Sequence, residues 1–203
     1  MAISGSLPPG VTAEFYAKTA QEAKRGGARV LLDGVKGVSA ALDTECVDVL
    51  KVNVGELRRL AETVGQYDEV DSFPYMRVAK AAAVILKRFP VQNVAITDGS
   101  RRAYLFSKGG GSALEYRLPS SLTSKIVNPI GAGDTVSAVL LTHWVDERSC
   151  DLSGAMADGL AAGTASCFRV HGSAFAVDDA CAVRRGILVH KIVQSDVVCE
   201  KFF

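Results

Sequence analysis

Short apolar runs alternate along this chain with longer stretches in which apolar residues recur at helical spacing. Chain breakers such as Pro8-Pro9-Gly10 and Gly26-Gly27 separate the two kinds of segment. The pattern predicts helices over residues 13–25, 56–64, 73–88, 136–145 and 152–168. It predicts buried strands over 29–33, 47–52 and 94–97, and two antiparallel strands over 103–106 and 113–118. Strands separated by helices indicate an α/β protein, with a parallel sheet covered by helices on both faces.

Composition and charge narrow the class of protein further. A chain of 203 residues is long enough for one domain with a substantial core. The balance of 23 Lys and Arg against 22 Asp and Glu favours neither nucleic acid nor a membrane as a partner. The five cysteines form no Cys-x-x-Cys pair, which predicts reduced thiols rather than disulfides or a zinc site. With no signal peptide and no apolar run of about 18 residues, we expect a cytoplasmic protein.

The clearest sign of chemistry is Gly131-Ala132-Gly133-Asp134, which stands where an apolar helix is predicted to begin. Small residues let successive backbone N–H groups converge on one point, and a helix N-terminus adds the positive end of its dipole. Such a concavity suits a phosphoryl group. The carboxylate of Asp134 would lie at its rim and accept a proton from a hydroxyl that attacks phosphorus. An ordinary turn with the same four residues is the alternative.

Polar residues also follow the ends of two predicted strands, which is where parallel sheets bind ligands. Asn53 and Glu56 lie one helical turn apart, so both side chains can face a hydrated Mg²⁺ that bridges phosphates. The alternative is a capping box, with Asn53 as the N-cap and Glu56 as its partner. Thr97 and Gly99 follow the next strand, and their alternative is a simple turn between strands.

Together these segments resemble the C-terminal portion of the pfkB (ribokinase-like) carbohydrate kinases. The resemblance extends to about Gly172, and its start is most similar to the branch that phosphorylates sugar phosphates: minor-type 6-phosphofructokinase, 1-phosphofructokinase and tagatose-6-phosphate kinase. It implies a three-layer α/β/α sandwich with a mainly parallel sheet. In that view, residues 1–203 are a partial kinase domain and 173–203 a divergent tail. The motifs that carry it are Ile3-Ser4-Gly5-Ser6-Leu7-Pro8-Pro9-Gly10, Lys51-Val52-Asn53-Val54-Gly55-Glu56, Thr97-Asp98-Gly99, Gly131-Ala132-Gly133-Asp134-Thr135 and Gly159-Leu160-Ala161-Ala162-Gly163.

The resemblance implies a role for each matching residue. Asp134 would be the catalytic base, and the N–H groups of Gly131, Ala132 and Gly133 an anion hole for the transferred phosphoryl group. Mg²⁺ would be organised by the Asn-x-x-Glu pair. The residues implied to bind ATP are Lys51, Asn53, Thr97, Gly99, Gly159, Ala162 and Gly163, those implied to bind the sugar are Ser4, Gly5 and Asp134, and those implied to hold the metal are Asn53 and Glu56. For the three small residues of the last motif, close helix–sheet packing is the alternative.

Two departures from the family change the expectations. Asn128 stands where the family usually has an acid that helps to build a monovalent-cation site, and an uncharged amide argues against activation by K⁺. The family's N-terminal part, which supplies the first strands, the lid and most sugar-binding side chains, has no counterpart in these residues. We therefore expect an unpaired apolar sheet edge that associates with a second copy or with an N-terminal complement.

Two functions remain open on the sequence alone. The first is a carbohydrate kinase that transfers phosphoryl from ATP to a sugar or sugar phosphate, which the intact Asp134 favours. The second is a non-catalytic nucleotide-binding or interaction module derived from such a kinase, which the missing lid favours. The chain alone is expected to be weakly active at best. The residues that would identify the sugar belong mostly to the missing part, and Lys36, Arg101 and Arg102 are expected to be solvated surface.

Overall fold

Seven strands form the sheet of this computed structural model, which describes residues 1–34, 36–65, 74–109, 113–146 and 151–192. The strands are Ala2–Ser4 (β1), Leu31–Asp33 (β2), Val49–Asn53 (β3), Asn93–Asp98 (β4), Arg102–Ser107 (β5), Ala113–Arg117 (β6) and Leu188–Ile192 (β7). They lie in the sheet in the order β1-β2-β3-β4-β5-β6-β7. The first three are parallel, and their register places Ser4 beside Asp33 and Asp33 beside Lys51. The carboxyl ends of these strands therefore align.

Helices make the connections between the parallel strands, since a parallel pair needs a crossover. The α-helices are Glu14–Arg25 (α1), Ser39–Leu42 (α2), Val54–Thr63 (α3), Pro74–Arg88 (α4), Ala132–Val145 (α5), Leu152–Ser166 (α6) and Val177–Gly186 (α7), and Ser120–Lys125 forms a 3₁₀-helix. None of the helices in the described ranges is both long enough and apolar enough to cross a membrane.

The described residues divide into two compact units. One unit takes the described residues of Met1–Ile96, Phe106–Ala113 and Lys191–Phe203, and the other takes those of Thr97–Leu105 and Leu114–His190. Each is described below by its own contacts.

In the first unit the apolar strands β2 and β3 are buried. Leu31, Leu32, Val49 and Leu50 are each at most 1% exposed, as expected for parallel strands covered on both faces. Asp48 fixes the start of β3, because its carboxylate accepts a hydrogen bond from the Val30 N–H at 2.7 Å. Helix α1 contacts α2, and α3 contacts α4.

In the second unit, α6 packs against both α5 and α7. Asp158 of α6 joins the three helices: one carboxylate oxygen lies 2.9 Å from Nδ1 of His143 on α5, and the other accepts a hydrogen bond at 2.7 Å from Nε of Arg184 on α7. Tyr116 of β6 is fully buried, and its hydroxyl donates to the Ser153 carbonyl at 3.1 Å. This hydrogen bond ties the sheet to the first turn of α6.

A buried carboxylate lies nearby in the same unit. Glu115 is 5% exposed, and its two oxygens accept hydrogen bonds from Arg102 at 3.0 Å and from Arg117 at 2.8 Å. The two guanidinium groups compensate the desolvation of this carboxylate. Lys36, Arg101 and Arg102 are all exposed, as the sequence predicted, and Arg102 pairs with Glu115 from the surface.

The predicted elements are present with their ends displaced by a few residues. Helix α3 begins at Val54 rather than at 56, because Asn53 has extended backbone and acts as the N-cap. Helix α6 ends at Ser166 rather than at 168. The pattern did not predict α2, α7 or the 3₁₀-helix. Residue 73 of the helix predicted over 73–88, residues 110–112 of the predicted hairpin loop and the tail from 193 onwards lie outside the described residues.

The segment 173–203 is the part that sequence reasoning treated as a divergent tail, and its described portion contains α7 and β7. Helix α7 has Asp178 and Asp179 in its first turn and Arg184 and Arg185 in its last. Acids at the start and bases at the end of a helix complement its dipole. That charge pattern was the signal that would have predicted α7.

We expect Tyr116→Phe to change how stability depends on pH. Burial raises the pKa of Tyr116 from its ordinary value of 10.0 to about 12. The unfolded chain therefore loses this proton before the folded chain does, and stability that is complete below pH 10 falls as the pH rises towards 12. The phenylalanine variant should be about 1 kcal/mol less stable at neutral pH, since it loses the hydrogen bond to Ser153. The free energy of unfolding of this variant should also fall less steeply than that of the parent chain as the pH rises above 10.

Urea unfolding of both proteins across the alkaline range measures this difference. Equal alkaline slopes for the variant and the parent chain would contradict the assignment of that loss of stability to Tyr116.

Candidate active site

The N-terminus of α5 begins at a glycine with left-handed backbone. Gly131 is the N-cap, with φ of 79°, and a Cβ at this position would collide with the Ser173 hydroxyl. Its carbonyl accepts hydrogen bonds at 2.9 Å from both the N–H and the hydroxyl of Thr135, which start the helix. The residue must be glycine both for its conformation and for the space around it.

Several backbone N–H groups at this helix start find no hydrogen-bond acceptor among the described residues. The N–H of Ala132 donates to the Pro129 carbonyl at 3.3 Å. Within the described part of the chain, the N–H groups of Gly131, Gly133 and Asp134 donate to no acceptor. They lie in the first turn, where the helix dipole is positive. The arrangement can therefore accept an anion, although the anion hole predicted from the sequence included the N–H of Ala132, which is engaged.

Asp134 is the third residue of α5 and is exposed. Its carboxylate makes no hydrogen bond or ion pair with any residue in the described ranges. An exposed, unpaired carboxylate beside unpaired N–H groups can accept a proton from a hydroxyl brought to the same place. The geometry is compatible with the predicted base, and the role itself stays a prediction.

The glycines of α6 bring this helix into close contact with α5. A Cβ on Gly159 would lie 2.8 Å from the Val136 carbonyl oxygen, and one on Gly163 would lie 2.8 Å from that of Ala132. Both glycines are buried, and so is Ala162. Close packing, which was the alternative to ATP binding for these residues, is therefore observed, although it is between two helices rather than between a helix and the sheet. The predicted role of these three residues in ATP binding stays a prediction.

In the first unit, Lys51 pairs with a carboxylate that sequence reasoning did not place in the site. Its Nζ donates to Oδ2 of Asp33 at 2.9 Å, and the lysine is 3% exposed. Ser4 and Asp33 stand side by side at the carboxyl ends of β1 and β2, and Lys51 stands beside Asp33, two residues before the end of β3. The signal in the sequence was an acid that ends one buried strand beside a lysine near the end of the next. The structure thus brings together one residue predicted to bind sugar and one predicted to bind ATP.

Gly5, another residue predicted to bind sugar, follows directly on β1. Its backbone is left-handed, with φ of 90°, and its carbonyl accepts a hydrogen bond at 2.9 Å from the hydroxyl of the buried Tyr16. Tyr16 belongs to α1, so this helix fixes the course of the chain where it leaves the sheet.

The predicted metal pair forms the capping box that was its alternative. Oδ1 of Asn53 accepts from the N–H of Glu56, and Oε2 of Glu56 accepts from the N–H of Asn53, both at 2.9 Å. No group of three or more His, Cys, Asp or Glu side chains within the described ranges is arranged to hold a metal ion. The second carboxylate oxygen of Glu56 takes no part in the box. It fits a water-mediated contact with Mg²⁺, which keeps most of its waters in proteins.

Thr97 lies within β4, and Gly99 lies in the turn between β4 and β5 with left-handed backbone and φ of 58°. The turn that was the alternative is therefore present at Gly99 and not at Thr97. Contact of either residue with a nucleotide stays a prediction. Of the predicted site, the first unit holds Ser4, Gly5, Lys51, Asn53 and Glu56, and the second holds Thr97, Gly99, Gly131, Ala132, Gly133, Asp134, Gly159, Ala162 and Gly163.

The chain is similar to several known proteins. Residues 1–176 match the family described as pfkB family carbohydrate kinase. The ATP-dependent 6-phosphofructokinase isozyme 2 of Mycobacterium tuberculosis is 31% identical over 176 residues, which are 82% of this chain and 47% of that protein. The 1-phosphofructokinase of Rhodobacter capsulatus is 34% identical over 143 residues, which are 70% of this chain and 40% of that protein.

Solved structures share the fold. Phosphofructokinase-2 from Escherichia coli in complex with potassium has a TM-score of 0.74 and 25% identity, over 91% of this chain and 55% of that one. Ribokinase from Thermotoga maritima has a TM-score of 0.62 and 22% identity, over 82% of this chain and 52% of that one.

The mixed, mostly parallel sheet flanked by helices is therefore the ribokinase-like fold that the resemblance implied. The chain belongs to the pfkB family of carbohydrate kinases. It spans about half the length of the curated relatives it matches.

We expect Gly163→Ala to destabilise the second unit. The added methyl group would lie 2.5 Å from Cγ2 of Val136 and 2.8 Å from the carbonyl oxygen of Ala132, and the backbone of α5 cannot yield cheaply. Overpacking of this kind costs about 1–3 kcal/mol of the free energy of unfolding. Urea unfolding measures the loss.

Gly55→Ala is the matched control, because a Cβ on this helical glycine meets only Oδ1 of Asn53, at an ordinary 3.4 Å. It should leave stability unchanged or raise it by a few tenths of a kcal/mol. Equal stability of Gly163→Ala and the parent chain would disprove the close α5–α6 contact.

Proposed function

We propose that this chain carries ATP-dependent phosphoryl transfer to a hydroxyl of a sugar or sugar phosphate. The observation behind the proposal is the start of α5, where N–H groups and a carboxylate that have no partner in the described part of the chain stand side by side. The chain also belongs to a carbohydrate kinase family. A sugar phosphate is the preferred acceptor, since the relatives include phosphofructokinases and a tagatose-6-phosphate kinase from Staphylococcus epidermidis.

In this proposal, Asp134 is the general base. Its carboxylate accepts the proton of the attacking hydroxyl as the oxygen approaches the γ-phosphorus of ATP. Exposure at the helix start supports the role, because the acceptor can reach this carboxylate without displacing an existing partner.

The N–H groups of Gly131, Gly133 and Asp134 bind the transferred phosphoryl group. Negative charge spreads over its oxygens during transfer, and fixed donors at a dipole's positive end stabilise that charge without reorganising. The N–H of Ala132 enters this set only if it leaves the Pro129 carbonyl, which it meets at a long 3.3 Å.

Nucleotide and metal contacts come from the other predicted residues. Lys51 carries a positive charge suited to phosphate, and Asp33 holds its ammonium in place. Asn53, Thr97 and Gly99 are proposed to contact ATP. The free oxygen of Glu56 is proposed to act through the water shell of Mg²⁺, which neutralises charge on the phosphates when bound.

Ser4 and Gly5 are proposed to line the acceptor site, and a partner is proposed to complete it. β1 lies at one end of the strand order, and Met1 and Phe15 beside it are 49% and 56% exposed. A second copy or an N-terminal complement that adds a strand would cover them. The proposed location is the cytoplasm, where the thiols of Cys46, Cys167 and Cys181 would stay free.

Asp134→Asn should lower kcat by about 10²–10⁴-fold, the range that general-base catalysis contributes. The dissociation constant of MgATP should stay within a few-fold, because the amide keeps the size of the carboxylate. Turnover is measured with fructose 6-phosphate, fructose 1-phosphate and tagatose 6-phosphate as acceptors. The chain is tested alone and with the N-terminal part of a relative supplied.

Asp178→Asn is the matched control, since it removes another exposed acid from the first turn of a helix in the same unit. It should keep full turnover. Normal turnover by Asp134→Asn would rule out its role as base. ATP binding without turnover of any acceptor, even with an N-terminal part supplied, would favour the non-catalytic module.

Gly131→Val should abolish MgATP binding to the chain in calorimetry. A branched side chain is strained at positive φ and meets Ser173, so the loop cannot keep its N–H groups directed at a phosphate. Circular dichroism verifies that the variant is folded.

Gly27→Val offers a comparison that separates strain from site geometry. Gly27 also has positive φ, but a Cβ there meets nothing within 4 Å. That variant should bind MgATP as the parent chain does. Unchanged binding by Gly131→Val would remove the anion hole from the proposal.

A further inference from the structure

The loop that leads into α5 is held by a second loop of the same unit. Residues 127–131 enter the helix, and residues 167–173 follow α6. The N–H groups of Val127 and Asn128 donate to the Cys167 carbonyl at 2.7 and 3.0 Å. At the other end of the contact, the Ser173 hydroxyl donates to the Gly131 carbonyl at 3.3 Å. These hydrogen bonds fix both ends of residues 127–131, which we call the anion-hole loop.

Between these ends, the side chain of Asn128 bridges the two loops. Its Oδ1 accepts from the N–H of Ile130 at 3.0 Å, and its Nδ2 donates to the Val170 carbonyl at 2.8 Å. The partners determine which way the amide faces, since an N–H group requires the oxygen and a carbonyl requires the nitrogen. The bond to Val170 spans 42 residues of sequence.

Known structures of the fold raise the question of a monovalent cation, because the Escherichia coli phosphofructokinase-2 structure is a complex with potassium. A potassium ion is held by oxygen atoms that converge on it. Here the Val170 carbonyl faces the positive end of an amide N–H group, and the only oxygen of the Asn128 side chain is engaged by Ile130. Asparagine also supplies no negative charge. The Asn128 side chain and the Val170 carbonyl, as they are paired here, therefore do not fit a monovalent cation.

We propose that Asn128 is a positioning residue whose neutral amide ties the anion-hole loop to residues 167–173, so that the site works without a monovalent cation. The role of this loop in phosphoryl transfer rests on the proposed function. The connection between the two loops rests on the hydrogen bonds alone. Asn128 touches no reacting atom, and it acts through the backbone of Ile130 and Gly131.

The substitution Asn128→Asp replaces the amide nitrogen by an oxygen and so tests the role of the amide. In Asn128→Asp, an oxygen takes the position of Nδ2 and faces the Val170 carbonyl oxygen at a separation near 2.8 Å. Two oxygen atoms at this separation repel each other, and a cation between them would relieve the repulsion. The variant should therefore acquire the dependence on K⁺ that the parent chain lacks.

The measurements are the melting temperature of the chain and its MgATP dissociation constant, in potassium chloride and in tetramethylammonium chloride at equal ionic strength. The parent chain should give the same values in both salts. Asn128→Asp should melt lower and bind MgATP about three- to tenfold more weakly in tetramethylammonium, which corresponds to one lost hydrogen bond. Potassium should restore both values. Asn128→Ala should be weakened equally in both salts.

Asn93→Asp is the matched control, because Asn93 makes a similar bridge in the first unit. Its Nδ2 donates to the Asp48 carbonyl at 3.2 Å, and its Oδ1 accepts from the Ser107 hydroxyl at 2.8 Å. The change should lower the melting temperature without making MgATP affinity depend on potassium. Such a dependence in the control would show that the response is not specific to the anion-hole loop and would overturn the proposal.

A parent chain that is stabilised by potassium, or that binds MgATP more tightly in it, would overturn the proposal. So would an Asn128→Asp variant that behaves as the parent chain in both salts. If MgATP does not bind at all, the proposed function fails, and the melting temperatures in the two salts still decide the role of Asn128. If Asn128→Asp does not fold, the parent chain's response to potassium and that of Asn128→Ala decide it.

Discussion

The close approach of α6 to α5 is the constraint on which the candidate site depends. Gly159 and Gly163 contribute no side chain to the contact, so the backbone of α6 lies against the carbonyls of Val136 and Ala132. Ala132 is the first residue of α5, and its position sets where the helix begins. The loop after α6 then reaches the loop before α5, where Asn128 and Ser173 make their hydrogen bonds. Helix packing and loop geometry are thus parts of one arrangement, and both serve to direct N–H groups outward.

The first unit positions its polar groups in a different way, by pairing them with one another. Lys51 is almost wholly buried, and burial of an unpaired ammonium group would be costly. Asp33, from the neighbouring strand, supplies the compensating charge. In the same way, the capping box of Asn53 and Glu56 satisfies two N–H groups at the start of α3. These contacts limit the freedom of each side chain before any ligand arrives, and such preorganisation lowers the cost of binding.

Local signals made much of this structure predictable, and long-range contacts account for what was missed. The Asn-x-x-Glu spacing and the Gly-Ala-Gly-Asp tetrad predicted where α3 and α5 start, because capping and backbone freedom depend on neighbouring residues. The pairing of Asp33 with Lys51 depends on strand register, and the tie between Asn128 and Val170 joins residues far apart in sequence. Gly159 and Gly163 were recognised as small residues, yet only the fold shows that α5 is what they pack against.

A tie made by an amide differs from one made by a cation in the charge that it adds. Asn128 is neutral, so under the proposed function the negative charge that develops at the start of α5 would be stabilised by N–H groups and the helix dipole on that side. Those groups are fixed by the covalent backbone and do not depend on an ion being present. Donors stabilise a transition state only as far as they are already in place, so hydrogen bonds that hold residues 127–131 would favour the proposed transfer. A contact that holds the loop without changing its charge is suited to such a site.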